Sequence, residues 1–134
     1  MKKKFIFCQD TGIFQGHFVV ACGYTEAELK KYVKKEFIKT FYEEFCEVIK
    51  DMTVGTELHK ATFYYSSTDR PCLLYLKEPK DEWEFWETLI HEITHIVDSL
   101  SARHGFEDER EARAYLTEHL FNSIRRKLQG IEKI

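Results

Sequence analysis

The sequence predicts an α+β fold: a small antiparallel or mixed sheet packed on three helices. Short runs rich in β-branched and aromatic residues come in two pairs, within residues 5–22 and 61–76, and turn signals bound them. Longer stretches over about 25–50, 81–104 and 107–129 repeat apolar residues at spacings of three and four. The 134 residues, 43 % hydrophobic and 32 % charged, suit one domain over 1–134 with a core of its own.

Phe5–Cys8 reads as the first strand, and Gln9-Asp10-Thr11-Gly12 as a turn. Phe14–Cys22 reads as a second strand that pairs with the first as a hairpin. Thr25-Glu26-Ala27-Glu28 is a capping box that opens a long helix reaching about Lys50. Its apolar side is Leu29, Val33, Phe37, Phe41, Phe45 and Val48, and its lysines form a solvated face. Ala61–Ser66 and Cys72–Leu76 read as strands joined by a Pro71-containing turn. Asp81 with Glu84 caps the next helix, whose stripe is Trp86, Leu89, Ile90, Ile93, Ile96, Val97 and Leu100. Gly105 stops that helix, and a last one runs from about Glu107 to Gln129.

Inside the second helix sits His91-Glu92-Ile93-Thr94-His95. Two His four residues apart lie on one helical face, so both rings reach a single ion at about 2.0–2.1 Å per nitrogen. Glu92 projects about 100° round the helix from His91, where a carboxylate serves as general base rather than ligand. Three fixed positions also arise by chance in a chain with six His. The amphipathic helical setting and a charged Glu92 within it favour the metal reading.

A catalytic zinc usually takes three protein ligands. The extended pattern with Gly at 98 and His at 101 is excluded, because Asp98 and Ser101 stand there. Glu107, Glu109 and Glu111 open the next helix, and periodicity does not choose among them. Acidic residues also favour helix N-termini for their own sake. Asp98, one turn past His95, suits a hydrogen bond to a ligand ring or direct ligation. Tyr115, His104, Arg113 and His119 are possible donors to a transition state.

From about Trp83 to Leu120 the chain resembles zincin metallopeptidases of the Glu-ligand type. It looks most like small phage- and prophage-encoded members, and distantly like the ImmA-type peptidases. Their later Glu-x-x-Ala motif, followed by Asn or an aromatic residue, is similar to Glu111-Ala112-Arg113-Ala114-Tyr115. The resemblance implies Zn²⁺ held by His91, His95 and Glu111, with Glu92 catalytic, in a minimal zincin-like fold. It also implies a protein or peptide substrate laid along an edge strand, either Ala61–Ser66 or Cys72–Leu76.

Other classes remain open: a zinc-binding regulatory domain without catalysis, a phage regulator that cleaves one repressor-like partner, or a structural domain with a chance motif. The net charge of −3 argues against a nucleic-acid-binding face. The four apolar residues at Phe5–Cys8 are too few for a signal peptide, and no run reaches a membrane span. The four cysteines, at 8, 22, 46 and 72, show no paired spacing and read as buried free thiols. A cytoplasmic protein of undetermined oligomeric state is expected.

Overall fold

Two strands begin the fold: β1 (Phe5–Asp10) and β2 (His17–Cys22). The computed structural model describes residues 4–12, 17–36, 46, 49–50, 61–64 and 72–130, with backbone alone at 17, 36, 61–64 and 72. After β2 come α1 (Glu26–Glu36), β3 (Ala61–Tyr64), β4 (Cys72–Leu76), α2 (Glu82–His104) and α3 (Arg110–Leu128). The strands form a four-stranded sheet in the order β1-β2-β4-β3. β1 and β2 are an antiparallel hairpin in the register Phe5↔Cys22 to Asp10↔His17. β3 and β4 are likewise antiparallel, and β2 runs parallel to β4. The sheet is therefore mixed. A parallel pair needs a long crossover, and the chain from Gly23 to Pro71 supplies it.

Strand side chains alternate between faces. Phe18, Val20, Cys22, Leu74 and Leu76 join Phe5 and Phe7 in one core, closed by α2 and α3. Val19, Ala21, Leu73 and Tyr75 point the other way, against Leu29 and Val33 of α1 and against Ile49. Helices thus cover both faces. This is why β2 and β4 carry near-continuous apolar runs while β1 alternates more strictly.

The predicted caps are present. Thr25 and Glu28 bond reciprocally, Glu28 N–H to Thr25 Oγ1 at 3.2 Å and Thr25 N–H to Glu28 Oε1 at 3.1 Å. Glu84 N–H donates to Asp81 Oδ1 at 2.8 Å to open α2. Gly105, at φ 75°, ends it and returns its N–H to the Ser101 carbonyl.

Five expectations need correction. β1 runs two residues past Cys8, because the buried Gln9 side chain is held by Ser123 Oγ at 2.9 Å and Lys127 Nζ at 2.8 Å. α3 starts at Arg110, with Glu107 and Asp108 in a turn before it. β4 lies between β2 and β3, so of the two strands proposed as a substrate edge only β3 is an edge among the described residues. On α2, Phe85 is buried and Ile90 is half exposed, the reverse of the expected stripe at those positions. Finally, Cys8 is exposed rather than buried. The strand predicted at 65–66, the start of β2 at 14–16 and most of the helix predicted at 37–48 lie outside the described residues.

Cys8, Cys22 and Cys46 are free thiols. Burial pushes the Cys22 thiol up to about 12, with the charge of Glu78 adding to it. Since the thiolate is the reactive form, Cys22 should alkylate at least about 100-fold more slowly than Cys8 in the native protein. In denaturant the difference should vanish. Mass spectrometry after timed alkylation at pH 8 reads both states, and fast native labelling of Cys22 would contradict its burial.

Candidate metal centre

Helix α2 builds the site because its apolar side fastens it to the sheet. Phe85, Leu89, Ile93, Ile96, Val97 and Leu100 are buried in the core. His91 and His95 project from the opposite, solvent-exposed side. Their rings meet edge-on with centroids 4.7 Å apart, and their Nε2 atoms face each other at 3.1 Å. Two nitrogens bound tetrahedrally at 2.0–2.1 Å to one ion would stand roughly 3.3 Å apart. The imidazole pair is close to that spacing without rearrangement of the helix. One atom from each of His91, Glu92 and His95 falls within a group spanning 4.8 Å, and no other such group of three occurs among the described residues.

Glu92 differs from the two His in being buried, at 7 % exposure. Burial raises its carboxyl above the ordinary value, and the charges of His95 and His91 partly offset this. No described residue donates a hydrogen bond to it. A buried carboxylate without a donor is costly, and native proteins rarely keep one without a use. Two open imidazoles and a partly desolvated carboxylate together suit a divalent cation with a water beside it. The donor set fits zinc, for which imidazole nitrogen is a common ligand.

Glu111 lies exposed in the first turn of α3, outside the three-residue group. Glu109 is the residue preceding α3, and Glu107 is exposed in the connecting turn. Asp98 points toward α3, where it pairs with Arg113. The same guanidinium donates to Ser101 Oγ at 2.6 Å, and that fully buried hydroxyl donates to the Asp98 carbonyl at 3.0 Å. Arg113 therefore joins α2 to α3 just beyond the His pair. Nothing in the spacing of Ser101 announced this, because its partner comes from another helix.

The remaining donor candidates are scattered. His119 Nε2 bonds Asp10 Oδ1 at 3.0 Å, at the far end of β1. A Cβ on Gly12 would sit 3.1 Å from the His119 ring, so the turn after β1 packs directly on it. Tyr115 and His104 are exposed, and His59 lies outside the described residues. No helix among the described residues is long and apolar enough to cross a membrane. Comparisons with protein-family models, with curated proteins and with solved structures return no match.

Proposed function

We propose that this chain is a zinc-dependent metallopeptidase. The observation that carries the reading is Glu92, a buried carboxylate with no described hydrogen-bond donor, set beside two imidazoles whose nitrogens already converge. His91 and His95 would hold the ion. Glu111 is the proposed third ligand, on the likeness of Glu111–Tyr115 to the downstream motif of Glu-ligand zincins. When bound, zinc would supply Lewis acidity and make water nucleophilic near neutral pH.

The chain's own residues supply the rest. Glu92 takes the proton of the attacking water and passes it to the departing amine nitrogen as the peptide bond breaks. Its burial favours that role, because a raised carboxyl pKa makes the proton easier to hold between the two transfers. The apolar packing of α2 keeps His91 and His95 in register, and the tie from Arg113 to Asp98 and Ser101 holds α3 against it. β3, an edge strand among the described residues and in contact with α2, offers backbone groups with which an extended substrate pairs as an added strand.

The test is zinc per chain together with cleavage of an unfolded protein. The native chain is expected to bind about one zinc and to cleave. His95→Ala is expected to lose the metal, and Glu111→Gln to weaken its binding by about 10-fold or more. Full zinc affinity in Glu111→Gln would move the third ligand to Glu109, Glu107 or Asp98. One zinc per chain with no cleavage of any substrate would favour a regulatory metal domain. No zinc in the native chain would end the enzyme reading.

A further inference from the structure

The exposed side of α2 carries more than the His pair. Trp83 is 75 % exposed and Ile90 50 % exposed, and Tyr115 is the other large hydrophobic residue so exposed among the described residues. Single exposed hydrophobics are ordinary. These two are placed together. At about 100° per residue, Trp83 and Ile90 lie within about 20° of one another round the helix. His91 and His95 follow at about 80° and 120° from Trp83, so all four occupy one arc of roughly 140°. Thr94 and Glu87 lie within it, and both are exposed.

The core does not explain this arc, since α2 meets the sheet and α3 through Phe85, Leu89, Ile93 and their neighbours. Neither do the caps, because the Asp81 carboxylate is engaged with the Glu84 N–H and Gly105 acts through its backbone N–H. What the arc shares is continuity with the proposed reacting centre. Ile90 immediately precedes His91. Trp83 stands eight residues, about 12 Å, back along the axis. An extended peptide covers that distance in three to four residues at about 3.3 Å each.

We infer that the Trp83–Ile90 strip is the specificity surface of the site, a shallow apolar floor that selects peptides with a large apolar side chain beside the reacting bond and a second one three to four residues away. This rests on the metallopeptidase reading and names its substrate class. Ile90 meets the nearer side chain and Trp83 the farther one. Glu87, exposed between them, favours a basic residue at an intervening position. The occupant is an extended or unfolded segment rather than a folded surface, because the strip is one helix face one to two side chains wide.

The experiment uses zinc-loaded Glu92→Gln and reads binding instead of turnover. The probes are acetohydroxamate, which reports the metal alone, and short blocked peptides with a hydroxamate at either end and Leu or Gly next to it. Dissociation constants are measured by calorimetry for Glu92→Gln and for the same protein also carrying Trp83→Ala and Ile90→Ser. The Leu probe of at least one series is expected to bind about 10-fold or more tightly than its Gly counterpart, as burial of one aliphatic side chain implies. In the triple variant that preference should fall to within about 2-fold, with acetohydroxamate affinity unchanged. Equal binding of the Leu and Gly probes, or a preference that survives both substitutions, overturns the inference while leaving the metal site intact. Failure of acetohydroxamate to bind overturns the metal-site reading, and the inference with it.

Discussion

Glu92→Gln is expected to keep about one zinc per chain and to lose about 10²–10⁴-fold in peptide hydrolysis, the usual contribution of a positioned general base. The amide keeps the size of the side chain but cannot take the proton. The same variant, freed of metal, is expected to be more stable than the native chain at neutral pH. The sign follows from the carboxyl being raised in the folded protein. A group that holds its proton more tightly when folded costs stability as pH rises from the unfolded value, near 4.5, through the folded one. Above both values the cost is constant, and below both it is absent. Urea denaturation of the metal-free proteins at pH 4 and pH 8 checks this. The advantage of Gln should appear at pH 8 and shrink at pH 4. Loss of stability at pH 8 would mean that the carboxylate has a partner in the folded state. A variant that still hydrolyses at the native rate would remove Glu92 from the chemistry.

Phe85→Ala is expected to cost about 3–5 kcal/mol, the range for truncating a buried Phe. Phe85 is 1 % exposed and stands edge-on to both Phe5 of β1, at 5.8 Å, and Trp86, at 5.0 Å. Trp86 in turn packs on Phe121 of α3 at 5.7 Å. One side chain therefore joins the first strand to the helix that carries the His pair and, through its neighbour, to the last helix. Against a total stability of about 5–15 kcal/mol the loss is large, and the melting temperature should fall by roughly 10–20 °C. Trp83→Ala, two residues away and exposed, should stay within about 0.5 kcal/mol. The pair separates the packed side of α2 from its open side, and a mild Phe85→Ala would show that the core closes over the gap.

The two helix caps, Gly105, the hairpin and the His-Glu-x-x-His face were all legible because each is local. Thr25 with Glu28 and Asp81 with Glu84 act within one turn. His91 and His95 share a face through helix geometry alone. The errors fell where a distant partner decides the outcome. Gln9 and Asp10 look like turn residues until Ser123, Lys127 and His119, more than a hundred residues away, give their polar groups a place in a strand. Ile90 fits an apolar stripe at helical spacing, but the buried stripe of α2 is turned about 20° from the expected one and takes Phe85 instead.

The same division holds for the site. The sequence by itself determined which residues can bind a metal and which carboxylate stands beside them, since residue type and a spacing of four are sufficient. Only the tertiary structure decided that Glu92 is buried while His91 and His95 remain open, because burial depends on which side of α2 the sheet and α3 cover. It also decided that Asp98 turns to Arg113 and that, among the described residues, Glu111 lies outside the three-residue group and β3 rather than β4 is an edge. Each of these joins segments distant along the chain, and such pairings follow from how whole layers pack rather than from any pattern within one element.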